Sequence, residues 1–188
     1  MEDLKDNYLV SVIKQMEYYK SLGEKAMLQL DDDQLTVQMN EESNSIGSIV
    51  KHLWGNMLSR WTGFLHSDGE KEWRQREAEF DNDLTGRAEI MAKWEEGWSC
   101  FLNALRSLTP DDLSRIVYIR NQGHTVMEAV NRQFAHYPYH VGQIVFLAKA
   151  LVRQPWQSLS IPRGGTAAYN AEKFSQERRR KHFTDDEK

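Results

Sequence analysis

Apolar residues recur every three or four positions through four long stretches of this chain, a period that only an α-helix turns into one continuous buried stripe. The first stretch, residues 4–30, carries Leu4, Tyr8, Leu9, Val12, Ile13, Met16, Tyr19, Ala26, Met27 and Leu30, with Gly23 as its one interruption. A second follows Glu41-Glu42-Ser43-Asn44-Ser45, where Ser or Asn can cap it, and places Ile46, Ile49, Val50, Leu53, Met57, Trp61 and Phe64 on one face before ending near Leu65. Ile90, Trp94, Trp98, Phe101, Leu102, Leu105 and Leu108 make the third, between Thr85 and Leu108. The fourth opens on Thr125-Val126-Met127-Glu128, the spacing of a capping box, and runs through Phe134, Val141, Ile144, Leu147 and Leu151. Pro138 falls inside it and is expected to loosen or bend it locally.

The connections are less regular. Ser67 to Leu84 is polar and charged but embeds Trp73 and Phe80, which predicts an ordered crossover loop rather than a helix or a disordered stretch. Thr109-Pro110-Asp111-Asp112 restarts a short helix with proline at its favoured first position. Ile116-Val117-Tyr118-Ile119 has strand character, and Asn121-Gln122-Gly123 can turn the chain, which allows a small hairpin ending at His124-Thr125. The expected fold is all-α: a four-helix bundle with one long crossover loop and room for a small β-hairpin before the fourth helix. Such bundles commonly hold metal ions between side chains of facing helices. Residues 1–170 are read as a single domain and residues 171–188 as a charged, flexible tail.

At 188 residues no second domain is required, and a net charge of -4 gives no general attraction to nucleic acid. The run Arg178-Arg179-Arg180-Lys181 is nearly cancelled by Glu172, Glu177, Asp185, Asp186 and Glu187, so it is taken as a solvated tail. The acidic opening Met1-Glu2-Asp3-Leu4-Lys5-Asp6 lacks the basic and apolar regions of a signal peptide, and no stretch has the ~20 apolar residues of a membrane span. A cytoplasmic location, without membrane contact, is expected. The one cysteine, Cys100, excludes an internal disulfide and sits between Trp98 and Phe101 as a small buried hydrophobe.

Two histidines, His136 and His140, stand four apart in the fourth helix. Residues at that spacing share a face, with β-carbons about 5–6 Å apart, so both imidazoles can reach one point beside the helix. His52 is the candidate third ligand. Around the second helix it points away from the apolar stripe, on a face of Ser45, Ser48, Gly55, Asn56, Ser59 and Gly63. Small neutral residues there leave a polar hollow or admit a neighbouring backbone; a face meant for solvent would carry Lys and Glu. The competing reading keeps His136 and His140 as ordinary polar positions and His52 as a satisfied core group. His124 is read as a hairpin residue, and His66 and His182 as surface groups.

These residues, His52-Leu53 on the second helix and His136-x-x-x-His140-Val141-Gly142-Gln143 on the fourth, resemble the DinB/YfiT-like superfamily over roughly residues 5–155. The resemblance implies a metal-binding four-helix bundle, often a homodimer, in which His52, His136 and His140 form the ligand triad. Some relatives are thiol-dependent S-transferases or isomerases.

Imidazole ligands suit several divalent ions; zinc is favoured for an open three-ligand site, with nickel next. Such an ion activates a low-molecular-weight thiol for transfer to an electrophilic small-molecule substrate. The rivals are metal-dependent hydrolysis on the same ligands, for which Glu17 is the nominated acid, and a non-catalytic metal-binding dimer. Asn56, Gln143 and Glu17 are candidates to orient ligands or act in catalysis. Arg60, Arg132 and Arg163 are candidates to hold a carboxylate of the substrate. Arg74 and Arg76 stand among Glu70, Glu72, Glu77 and Glu79, where ion pairs within the loop are expected.

Overall fold

A computed structural model describes residues 4–186; Met1 to Asp3 of the acidic opening and Glu187 and Lys188 of the tail lie outside the described residues. Four long helices form the bundle: α1 (Leu4–Met27), α2 (Ile46–Trp61), α3 (Arg87–Arg106) and α4 (Val126–Leu151). α2 packs mainly on α3 and α1 on α4, with α1–α3 and α2–α4 contacts closing the core. A short fifth helix, α5 (Thr166–Phe174), follows and buries none of its residues. No described helix is long and apolar enough to cross a membrane.

The predicted stripes are the core. Trp94, Trp98 and Phe101 of α3 meet Trp61 of α2 and Tyr137 of α4 in a cluster of rings whose centroids lie 4.8–6.0 Å apart. Tyr137 accepts a hydrogen bond from Trp61 Nε1 at 2.9 Å and donates to Asn56 Oδ1 at 3.0 Å, which partners those buried polar atoms, whereas Trp98 Nε1 in the same cluster has no partner among the described residues.

Gly23, an apparent flaw in α1, is where the Trp94 ring enters. A β-carbon there would lie 2.6 Å from Trp94 Cη2 and Cζ2. Gly23→Ala should therefore lower the melting temperature followed by circular dichroism, even though alanine is the better helix former. The propensity gain is about 1 kcal/mol, and forcing a methyl into a packed core costs about 1–3 kcal/mol.

The α2 face of small residues is covered by the crossover rather than by another helix. Asn82 Oδ1 accepts from Ser45 Oγ at 2.6 Å and Ser48 Oγ at 3.5 Å, Glu79 lies against Gly55, and Ser59 Oγ donates to the Gly69 carbonyl at 2.8 Å. The crossover is ordered, as its aromatics suggested, and includes a 3-10 turn at Glu77–Phe80.

Strands β1 (Ile116–Ile119) and β2 (Gln122–Thr125) pair antiparallel, with Ile119 opposite Gln122 and Tyr118 opposite Gly123. The turn comes one residue earlier than Asn121-Gln122-Gly123 implied. Its two central residues are Arg120 and Asn121, at φ 56° and 60°, the pairing that a two-residue hairpin of type I′ demands. Asp68 of the crossover holds that turn: its carboxylate accepts from the backbone N–H groups of Arg120 (2.8 Å) and Asn121 (2.9 Å). Gly123 is instead a strand residue crowded by Ile116 and Tyr118.

Thr125 caps α4 together with Glu128 as the box pattern implied, and the helix continues unbroken through Pro138. The cost of that proline is one absent N–H, which deprives the Phe134 carbonyl of its usual donor. At the far end of the chain, residues 182–185 lie on α1: His182 Nε2 is 3.1 Å from Ser11 Oγ, Phe183 meets the Tyr18 ring and Asp185 pairs with Lys14 at 2.6 Å.

Candidate metal centre

His52 comes from the middle of α2, and His136 and His140 from successive turns of α4, so the contact between those two helices delivers all three imidazoles to one point. One ligand nitrogen from each lies within 4.8 Å of the others. His136 Nε2 is 3.4 Å from His52 Nε2 and 3.1 Å from His140 Nε2. Around a cation with metal–nitrogen bonds of about 2.0–2.1 Å, tetrahedral angles put ligand nitrogens about 3.3–3.4 Å apart. The two spacings to His136 lie close to that value, and the His52 and His140 nitrogens lie within 4.8 Å of each other.

The opposite edge of every ring is engaged. His52 Nδ1 lies 2.9 Å from Glu79 Oε2, His136 Nδ1 3.2 Å from Gln133 Oε1, and His140 Nδ1 2.8 Å from Gln143 Oε1. With Nδ1 donating to an oxygen in each case, the three Nε2 lone pairs face one another. That is a repulsive arrangement in isolation and the arrangement a cation requires, and fixing the tautomer through the other ring nitrogen is how metal-ligating histidines are held.

Charge agrees with this donor set. Burial pushes the His136 imidazole down to about 3, and the His140 and His52 rings with the Arg132 and Arg60 charges push the same way. Burial also lowers His140, against an upward pull from Gln143. Both are neutral at neutral pH, the state that binds metal. Burial alone would raise the Glu79 carboxyl, but hydrogen bonds from Arg74 and His52 outweigh it and hold the group below the usual carboxylate range.

The centre is sheltered on one side and open on another. His52 is buried and stacks on Phe80 of the crossover, ring centroids 4.9 Å apart. His136 and His140 are half-buried, Tyr139 beside them is 62% exposed, and Gly142 on the next turn has open space where a side chain would project.

Residues 3–165 match the family described as "Protein of unknown function (DUF1572)". The chain belongs to that family. The matched span takes in all three histidines, their three partners and the crossover that covers them, while Phe174 and the basic run at 178–181 fall beyond it. No curated protein and no solved structure matches the chain.

The other predicted site residues divide. Gln143 is at the centre, on His140. Asn56 is not a partner of His52; its side-chain oxygen serves Tyr137 in the core. Glu17 is not brought to the histidines: it pairs with Arg106 of α3 at 2.6 Å on the surface. The three arginines do not form one cluster. Arg60 is buried and turned to the crossover, where it donates to the Gly69 carbonyl and pairs with Glu70 at 3.0 Å. Arg163 lies exposed in the loop before α5. Arg132 is exposed one turn before His136, close enough that its charge acts on that ring.

Two partners escaped the sequence reading. Gln133 stands three residues from His136 as Gln143 does from His140, so the same helical spacing that nominated one points to the other. In sequence Glu79 stands only as a loop ion-pair residue. Its signal was Gly55, a glycine within a helix three residues from His52, marking a close approach.

Proposed function

We propose that His52, His136 and His140 hold a divalent cation, zinc first and nickel next, in an enzyme that transfers a low-molecular-weight thiol to an electrophilic small molecule. The observation that carries the metal reading is the convergence of three Nε2 atoms whose Nδ1 edges are all engaged by side-chain oxygens. A cation held there supplies Lewis acidity and lowers the pKa of a thiol or water on its open side.

Thiol chemistry is favoured over hydrolysis by what surrounds the centre. Glu17 is committed to Arg106, and both oxygens of Glu79 are taken by Arg74 and His52, so neither is a free general base. The protein's own thiol is no nucleophile here, since Cys100 lies on α3, near Thr62 and the Met57 carbonyl, and burial raises its pKa. The nucleophile therefore comes from solution. The resemblance to DinB/YfiT-like bundles, among which thiol-dependent transferases occur, supports the same reading.

Arg132 is left as the anchor for an anionic substrate group. It has no ion-pair partner among the described residues and stands on the face of α4 that carries both histidines, at the i-4 position from His136. Arg132→Ala should raise KM for an anionic electrophile about tenfold while leaving a neutral analogue unaffected, the loss of one charge-assisted hydrogen bond of about 1.5 kcal/mol.

The test of the function is metal analysis of protein purified without a histidine tag, followed by turnover of an electrophile panel with and without added thiol. Stoichiometric zinc or nickel and thiol-dependent turnover are expected. Turnover that needs metal but no thiol would replace the transferase reading with a hydrolytic one.

A further inference from the structure

The three histidines are not held alike. His136 and His140 each lean on a neutral amide oxygen, whereas His52 leans on a carboxylate. That carboxylate is gripped in turn: Arg74 Nε reaches Glu79 Oε1 at 2.7 Å and Arg74 Nη2 reaches Oε2 at 2.9 Å. The pair is buried, the side chains of Arg74 and Glu79 being 2% and 5% exposed. The chain of charges continues outward, from Arg74 to Glu70 at 3.5 Å, and from Glu70 to Arg60 at 3.0 Å and Arg120 at 3.2 Å. It ends at the hairpin turn that Asp68 already ties to the crossover.

A buried ion pair is a poor way to stabilise a fold, because desolvating both charges offsets most of their attraction. This one also forces a glycine into the middle of α2, since a β-carbon at Gly55 would lie 2.7 Å from Glu79 Cδ. Both costs are accepted at the one place, among the described residues, where a carboxylate meets a metal-ligand candidate. A carboxylate accepting from Nδ1–H makes the far nitrogen of the imidazole more basic, and an amide oxygen does so less.

We propose that Glu79, clamped by Arg74, is a positioning residue that makes His52 the anchoring donor of the centre and leaves His136 and His140 as its weaker ligands. The inference rests on the metal reading above. It goes further in ranking the ligands and in giving the crossover a task beyond covering α2. Arg74 fixes the carboxylate within 2.9 Å of His52 Nδ1, and Glu79 fixes the His52 proton on that nitrogen, so that the Nε2 lone pair is directed at the cation site before any cation arrives.

Glu79→Gln tests this, because the amide can present either an oxygen or an NH2 group to Nδ1 and no longer dictates the tautomer. In the metal-free wild-type protein, 15N NMR of the imidazoles should show His52 protonated at Nδ1 and bare at Nε2. In E79Q the Nε2–H form should appear. Competition titration with zinc should show E79Q losing affinity about 10- to 100-fold, and Gln143→Leu losing clearly less. Should E79Q fail to fold, Arg74→Lys keeps the charge but not the two-pronged grip, and a several-fold loss is expected. Zinc affinity unchanged in E79Q or R74K, or a larger loss in Q143L than in E79Q, would overturn the proposal while leaving the metal reading intact. Failure of the wild-type protein itself to take up zinc would overturn both.

Discussion

Replacing His136 with alanine should reduce zinc affinity about a thousandfold while leaving the metal-free protein folded. Structural zinc sites bind with about 10–16 kcal/mol spread over their ligands, so one imidazole is worth roughly 4 kcal/mol, or about three decades. His136 is the middle nitrogen of the triad, 3.1 and 3.4 Å from the other two, and its loss leaves a pair that cannot enclose a cation. The fold has less to lose. The ring is only half-buried, and removing it relieves three facing lone pairs rather than opening the core, which is built from Trp94, Trp98, Phe101 and Tyr137. Calorimetric titration and thermal denaturation separate the outcomes. Zinc should raise the melting temperature of the wild-type protein and not of H136A. Unfolding of metal-free H136A would mark the centre as structural, and undiminished affinity would remove His136 from the ligand set.

The metal-free protein should also be unusually sensitive to mild acid. His136 is pushed from an ordinary value of 6.5 to about 3 in the folded state, chiefly by burial. Between those values the unfolded chain binds a proton that the folded one refuses, so stability rises with pH across the window and is lost on acidification through it. Above 6.5 the group contributes nothing, since it is neutral in both states. The limiting slope is about 1.4 kcal/mol per pH unit. Solvent contact of the partly exposed ring leaves that slope unchanged but narrows the pH window over which it acts, to roughly half. His140, lowered by burial as well, adds in the same direction. Urea unfolding of the metal-free protein at a series of pH values from 7 to 5 should therefore show a falling midpoint, and His136→Asn should flatten the trend. Equal slopes for the two proteins would mean that His136 is as free to protonate in the fold as out of it.

The bundle was legible because its stripes are local: Trp94, Trp98, Phe101 and Leu105 declare a helix within one window of chain, and Thr125 with Glu128 declares where α4 begins. The His136–His140 pair was legible for the same reason. His52 could be suspected from the small residues around it, although that face turned out to receive the crossover rather than an open hollow. What stayed hidden depends on tertiary placement. Glu79 lies 27 residues from His52, in a segment without periodicity, so nothing in its spacing announces which imidazole it will meet. Glu17 and Arg60 looked available because charge is visible in sequence and partners are not. Each is consumed by a distant or looping neighbour, Arg106 for one and Gly69 with Glu70 for the other. The turn residue shifted by one position because Arg120 accepts positive φ where Asp68 binds its N–H, a compensation supplied from 52 residues away.

The most direct test of the whole account is X-ray absorption at the metal edge of zinc-loaded protein. Three imidazole nitrogens at about 2.0–2.1 Å should surround the ion, falling to two in His52→Ala. A first shell with fewer than three imidazoles in the wild-type protein, or one that H52A leaves unchanged, would contradict a shared cation between α2 and α4.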